Sequence, residues 1–131
     1  MQKQAKVLLV DDDVDFVEIN KTVLEKEYQV VVAYDGDEGL KKIVEENPDL
    51  IILDVVMPRK DGFAVCKELK ESPRYKSFSK IPVILLTVFP HGMEKTRIPL
   101  SAGVDMQAED YVQKPVKPQE LLKKARELLK K

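Results

Sequence analysis

Residues suited to metal or phosphoryl chemistry follow four short apolar runs of the sequence. The runs at 7–10, 50–53, 83–86 and 111–113 are followed by Asp11 and Asp12, by Asp54, by Thr87 and by Lys114. If these runs are parallel strands of one sheet, all of these side chains emerge at its carboxyl edge, where open α/β sheets bind ligands. The sequence therefore predicts one crevice that holds carboxylates, a hydroxyl and an ammonium group.

The acidic residues of this crevice favour a divalent cation. Two carboxylates about 4 Å apart repel each other by roughly 4 kcal/mol at an effective dielectric constant of 20. Oxygen ligands without histidine or cysteine suit Mg²⁺ or Mn²⁺. Asp11, Asp12 and Asp54 carry three negative charges and Lys114 carries one positive charge, so one divalent ion would make the set neutral. A phosphoryl group would then have the metal and the lysine as counter-charges.

Ordinary structural roles explain only part of this set. Asp13 directly precedes a predicted helix, and we assign it to helix capping. Capping does not explain an aspartate such as Asp54, which closes a buried strand. Thr87 alone would be an ordinary strand residue and Lys114 alone a surface charge. Their joint placement carries the prediction.

Strand-like and helix-like segments alternate five times, which predicts a parallel sheet with helices on both faces. Strands are expected at about 6–10 and 29–33, and the first helix at about 14–26. The run at 50–53 is typical of a central strand buried on both faces. A polar loop is expected over 72–80, and the last helix begins at Pro118, which suits a first turn.

Composition indicates one globular domain over residues 1–131. The chain is 44% hydrophobic and 34% charged, and its net charge of −1 argues against nucleic acid as the main partner. No apolar stretch reaches the roughly 20 residues that cross a bilayer. The first residues lack the apolar core of a signal peptide, so we expect a cytoplasmic protein without a membrane partner. Cys66, the single cysteine, is expected to be a small buried hydrophobic residue.

These motifs together resemble the receiver domain of two-component response regulators, the family of the chemotaxis switch protein. The resemblance covers nearly the whole chain, and the segment 54–58 followed by Asp61 and Gly62 is a particularly specific match. It implies a flavodoxin-like, doubly wound α/β fold, with a five-stranded parallel sheet of order 2-1-3-4-5 and five helices.

The resemblance also implies a role for each residue at the sheet edge. Asp54 would be the phosphoacceptor and form an acyl phosphate. Mg²⁺ would be held by Asp54, by Asp11 and Asp12, and by the backbone carbonyl of Val56. Phosphoryl oxygens would contact Thr87 and Lys114, and the bond between Lys114 and Pro115 would be cis.

A conformational switch follows from the same resemblance. The phosphoryl group adds negative charge and acceptor oxygens, and these would draw Thr87 inward. The space left by Thr87 would accept the ring of Tyr111. The surface formed by the last strand and the last two predicted helices would then change shape.

The resemblance implies a signalling function. The phosphoryl group would come from a histidine kinase or a phosphotransfer protein. The output would reach a downstream protein or a fused output domain, without contact between this domain and nucleic acid. The domain would catalyse only its own phosphorylation and dephosphorylation, so we do not expect an enzyme acting on other substrates. Whether the receiver acts alone or within a longer protein stays open.

The sequence departs from the family pattern after Thr87. Val88 stands where alanine or glycine is usual and should narrow the approach to the site, so we expect slow reaction with small donors or slow loss of phosphate. Pro90, Gly92 and Pro99 interrupt the expected helix between the last two strands, and residues 105–108 lengthen the following loop. His91 is expected to be exposed to solvent.

Two other functions share part of this pattern. A phosphatase resembling the haloacid dehalogenase family could use Asp11, Asp13, Thr87 and Lys114, but it would leave Asp54 without a role and lacks the acidic pair expected after the lysine. A receiver fold kept only for docking, without phosphorylation, would not need the complete set of polar residues.

Overall fold

A five-stranded sheet forms the centre of the computed structural model, which describes residues 4–87 and 108–130. The strands are β1 (Lys6–Val10), β2 (Gln29–Ala33), β3 (Leu50–Asp54), β4 (Val83–Thr87) and β5 (Asp110–Gln113). Their order is β2-β1-β3-β4-β5, and all four pairings are parallel. The predicted doubly wound sheet order is confirmed.

Helices cover both faces of this sheet in the described residues. They are α1 (Val14–Leu24), α2 (Gly36–Glu46), α3 (Gly62–Glu71), a 3₁₀ helix (Pro73–Phe78) and α4 (Pro118–Leu129). Apolar residues of α2 and α3 pack on one face, and those of α1 and α4 pack on the other. This two-sided cover explains why β3 and β4 are buried along their whole length.

Alternation along the central strands builds the two halves of the core. Leu8 and Ile51 belong to the cluster on the α2 and α3 face, whereas Leu9 and Ile52 belong to the cluster on the α1 and α4 face. Successive strand residues point to opposite faces, so one apolar run supplies both clusters. The rigid strands fix where their carboxyl ends lie, and therefore where the polar residues that follow them emerge.

An aspartate caps each of the three helices that follow β1, β2 and β3. The carboxylates of Asp13, Asp35 and Asp61 accept hydrogen bonds from backbone N–H groups in the first helical turn. Such caps satisfy donors that the helix itself leaves unpaired. The capping role predicted for Asp13 is therefore confirmed.

Two local predictions need correction, and one is confirmed. Helix α1 ends at Leu24, two residues before the expected end, and the expected polar loop over 72–80 contains the 3₁₀ helix. That helix forms because the Ser72 hydroxyl accepts from the N–H of Arg74 and Tyr75 packs into the core. Cys66 is buried as predicted, and burial raises the pKa of its thiol to about 11.

The expectations for the segment after Thr87 lie outside the described residues. They concern the interrupted helix at Pro90, Gly92 and Pro99, the exposure of His91, and most of the longer loop before β5. Within residues 4–87 and 108–130, no helix combines the length and apolar composition needed to cross a bilayer.

Candidate functional site

The sheet register brings the predicted site residues to one edge. Asp54 is the last residue of β3 and pairs with Leu86, one residue before Thr87 at the end of β4. Thr87 pairs with Gln113, and the backbone N–H of Lys114 donates to the Thr87 carbonyl at 2.7 Å. Asp11 directly follows β1, and β1 lies between β2 and β3 in the sheet. The four strand ends therefore converge as the sequence predicted.

Three carboxylates form a cluster at this edge. Asp11, Asp12 and Asp54 each offer an oxygen within 4.8 Å of those of the other two. Asp11 and Asp54 are buried, whereas Asp12 is exposed to solvent. Three carboxylate oxygens without histidine or cysteine fit a hard divalent cation such as Mg²⁺, and the exposed member leaves a route for the ion.

Lys114 is the one basic group within ion-pair distance of this cluster among the described residues. Its Nζ lies 3.0 Å from Oδ2 of Asp11 and 3.6 Å from Oδ1 of Asp54. Burial alone would lower the pKa of Lys114, but the hydrogen bond to Asp11 and the charges of both aspartates outweigh it and raise the pKa. The ammonium is therefore firmly charged and leaves the cluster with an excess of negative charge.

Asp54 is the carboxylate most affected by this environment. Burial, together with the charge of Asp11, raises its pKa to about 7, while the charge of Lys114 and the backbone N–H of Val56 act in the opposite direction. A carboxyl group buried beside other carboxylates resists ionisation. A bound cation would offset the repulsion that the ionised Asp54 carboxylate meets from its neighbours.

Thr87 supplies a hydroxyl that no described residue binds. The side chain is buried, and its Oγ1 has no hydrogen-bond partner among the described residues. Buried hydroxyl groups are normally paired, and an exception calls for an explanation. Here the hydroxyl has a donor available for an anion. The bond between Lys114 and Pro115, on the neighbouring strand end, is cis, as predicted.

Tyr111 lies on β5, where it pairs with Leu85, two residues before Thr87, and it packs on the α2 and α3 side of the sheet. Its hydroxyl is buried, and the backbone N–H of Ala108 acts on it. Burial raises the pKa of this phenol, and the charge of the nearby Cys66 contributes a smaller effect in the same direction. The rotation predicted for the ring stays a prediction; in this structure the hydroxyl already points inward.

Val56 lies on the loop that follows Asp54, as its predicted role requires. The side chain is 62% exposed and contributes nothing to the core. Its backbone N–H acts on the Asp54 carboxylate, which places this loop at the site. The proposed use of its carbonyl as a metal ligand stays a prediction.

Sequence reasoning gave no role at the site to two residues that shape it. A Cβ on Gly62 would lie 2.3 Å from the Asp54 carbonyl oxygen, so only glycine allows α3 to begin this close to the phosphoacceptor candidate. The ring of Phe16 lies beneath Lys114, with Nζ 4.4 Å from the ring centroid. The Asp61-Gly62 pair was a signal for the first. Nothing in the spacing signals the second.

The phosphatase alternative fits this geometry poorly. It needs the side chain of Asp13 at the reaction centre, but that carboxylate is used to cap α1 by accepting from the N–H of Phe16. The cluster instead includes Asp54, which the alternative leaves unused.

Comparison with known proteins gives concordant matches. A family model described as the response regulator receiver domain matches residues 7–126. The ycf27 protein of Cyanophora paradoxa is 41% identical over 126 residues, and the alkaline phosphatase synthesis transcriptional regulatory protein PhoP of Bacillus subtilis is 36% identical over 126 residues. Each alignment covers 95% of this chain and 48% of the relative, so the chain spans about half the length of these curated relatives.

A solved structure matches the complete fold. A crystal structure assigned to a response regulator of Chloroflexus aurantiacus aligns with a TM-score of 0.80 and 35% identity, covering 98% of this chain and 100% of that one. The similarity thus extends from the motifs at the sheet edge to the whole arrangement of strands and helices.

Proposed function

The chain belongs to the response regulator receiver domain family, and from that premise we propose that it accepts a phosphoryl group on Asp54 in a Mg²⁺-dependent reaction. One observation carries the proposal: a buried carboxylate at the end of the central strand lies between two further carboxylates and one ammonium. A structural ion pair would need one acid for one base. This cluster has two acids more than it has bases.

The chemistry is a nucleophilic substitution at phosphorus. An Asp54 oxygen forms a bond to phosphorus while the bond between phosphorus and the donor atom breaks, and the bonding electron pair leaves with the donor. The product is an acyl phosphate. When bound by Asp11, Asp12, Asp54 and the Val56 carbonyl, Mg²⁺ would offset the charge of the carboxylates and bind oxygens of the incoming group.

Lys114 and Thr87 would bind the oxygens of the transferred group. The Lys114 ammonium has one hydrogen bond to a side chain, that to Asp11, and therefore has donors left for a phosphoryl oxygen. Thr87 has a buried hydroxyl without a partner among the described residues. Fixed donors aimed at developing charge are the usual source of stabilisation in phosphoryl transfer.

We propose that Thr87 and Tyr111 couple the chemistry to a change of surface. If Thr87 moves toward the phosphoryl group, the volume beside it on β5 becomes available to Tyr111. A few kcal/mol of new contacts are enough to invert a two-state population. We therefore propose that Tyr111 and the surface around β5 and α4 report the phosphorylation state to a target.

The partners follow from the family. We propose that residues 1–131 form one receiver domain, phosphorylated by a histidine kinase or a phosphotransfer protein and acting on a protein target or a fused output domain. PhoP of Bacillus subtilis is named a transcriptional regulatory protein and is about twice as long as this chain. A location in the cytoplasm, where genes are read, agrees with such an output. The receiver itself, with its net charge of −1, is not the part that would bind nucleic acid.

Intact mass spectrometry tests the proposal. The protein is incubated with acetyl phosphate in Mg²⁺ or in EDTA, beside Asp54→Asn and the control Asp49→Asn, whose carboxylate lies at the opposite edge of the sheet and accepts from the N–H of Lys6. We expect the mass of one phosphoryl group in Mg²⁺ alone, lost in Asp54→Asn and kept in the control. Phosphorylation that survives in Asp54→Asn would overturn the assignment.

A further inference from the structure

The contact between Phe16 and Lys114 is not explained by packing alone. Phe16 is a partly buried residue in the first turn of α1, on the face that packs toward α4. The Lys114 ammonium lies 4.4 Å from its ring centroid. An ammonium at this distance over an aromatic face is attracted by the negative charge density of the ring. A leucine would fill the same apolar space without this attraction.

A closed series of contacts holds the ring and the ammonium together. Oδ2 of Asp11 lies 3.0 Å from Nζ of Lys114, and its Oδ1 accepts from the N–H of Asp13 at 2.9 Å. Oδ1 of Asp13 accepts from the N–H of Phe16 at 3.1 Å, and the Phe16 carbonyl accepts from the buried Asn20 amide at 2.8 Å. The backbone of Phe16 is therefore fixed on both sides, relative to the same aspartate that binds the lysine.

We propose that Phe16 is a positioning residue, which holds the Lys114 ammonium beside Asp54 through its aromatic face. A lysine has a flexible four-carbon stem, and this ammonium has one hydrogen bond to a side chain. Without the ring, other orientations of the stem compete, including those that face solvent. The ring keeps the ammonium where an incoming phosphoryl oxygen needs it.

A fluorination series tests the contact without a change of shape. Phe16 is replaced site-specifically by phenylalanine with one, two or three ring fluorines, which weaken the attraction for a cation but change the volume little. The equilibrium constant for folding should fall stepwise, by about two- to fivefold in total. The series should be flat in a Lys114→Met background, because no cation remains there. The matched control is the same series at Phe78, for which the described residues provide no cation.

The second readout is the rate of phosphorylation by acetyl phosphate, and it rests on the proposed function. The rate should fall along the same series, and Phe16→Tyr should keep most of the rate that Phe16→Leu loses. If the folding constant changes along the series by the same amount in both backgrounds, the contact is overturned. A folding effect with an unchanged rate would overturn the positioning role. If the unmodified protein takes up no phosphoryl group, the proposed function fails and the positioning role fails with it, even where the folding series detects the contact.

Discussion

Two partly buried lysines lie at opposite edges of the sheet, one at the amino edge where the strands begin and one at the carboxyl edge where they end. They differ in how their ammonium groups are bound. At the amino edge, Lys70 donates to the backbone carbonyls of Ser79 and Ile81 at 2.8 and 2.7 Å, and Glu109 lies 3.8 Å away. At the carboxyl edge, Lys114 lies within 4 Å of two carboxylate oxygens and makes a single hydrogen bond to a side chain.

The difference separates a structural charge from one available for chemistry. Lys70 is bound by fixed backbone carbonyls and faces the carboxylate of Glu109, so its charge secures the chain before β4. Lys114 faces more negative charge than it can balance, next to the Thr87 hydroxyl, which has no partner among the described residues. A functional site is therefore recognised less by the presence of charged residues than by an imbalance that a ligand would remove.

Replacing each lysine by methionine should give opposite results, and this is the largest effect expected. Lys114→Met removes a fixed donor from the transferred group and should slow Mg²⁺-dependent phosphorylation about 100-fold. Lys70→Met should leave that rate unchanged and lower the free energy of unfolding by about 1–3 kcal/mol, since two carbonyls lose their donor. The measurements are the initial rate by intact mass and the unfolding curve in urea.

Measuring both quantities on both variants shows whether the two edges act independently. If Lys70→Met also slows phosphorylation, the two edges are coupled and the amino edge is not purely structural. If Lys114→Met is phosphorylated at the normal rate, the imbalance at the carboxyl edge has another purpose.

The pH dependence of stability is the next effect in size. The pKa of Asp54 is raised to about 7, so the folded state keeps a proton that the unfolded chain releases near pH 4. In EDTA, the free energy of unfolding should therefore fall as pH rises from about 4 to about 7. Below that window the stabilisation is fully present, and above it the stabilisation is lost.

Matched variants show whether Asp54 causes the fall in the free energy of unfolding with pH. Asp54→Asn should remove this contribution and be more stable than the unmodified protein at pH 8. Asp49→Asn, at the amino edge, should keep it. Mg²⁺ should reduce the loss at high pH, because it binds the ionised carboxylates of the folded state. A slope that persists in Asp54→Asn would place the titrating group elsewhere.

The sequence alone predicted the parts of this molecule that depend on the ends of strands. Four apolar runs predicted the strands that carry the site, and each polar residue after a run reached the same edge because parallel strands share a direction. The position of Phe16 could not be predicted in this way, because it depends on how α1 packs beside a residue 98 positions later. The pKa of Asp54 likewise depends on distances between side chains. The 3₁₀ helix after α3 was missed because its stability comes from a local cap and from the burial of Tyr75.

The smallest expected effect is that of the Thr87 hydroxyl on stability. Thr87→Val keeps the shape and removes a buried hydroxyl that has no partner among the described residues. Its stability should be unchanged or should rise by up to about 1 kcal/mol, because no hydrogen bond is lost and an unpaired polar group is removed. The control is Thr22→Val, whose hydroxyl donates to the Glu18 carbonyl at 2.9 Å and should cost a few tenths of a kcal/mol.

Thr87→Val should also slow phosphorylation. This separates a hydroxyl that stabilises the fold from one that binds the phosphoryl group. Thr87→Val loses a donor to the phosphoryl group and should be phosphorylated more slowly, whereas Thr87→Ser should keep most of the rate. Thr22→Val should react normally. If Thr87→Val instead costs more stability than Thr22→Val, the hydroxyl has a partner in the resting protein. The carboxyl edge would then resemble the amino edge, with its polar groups already satisfied before any phosphoryl group arrives.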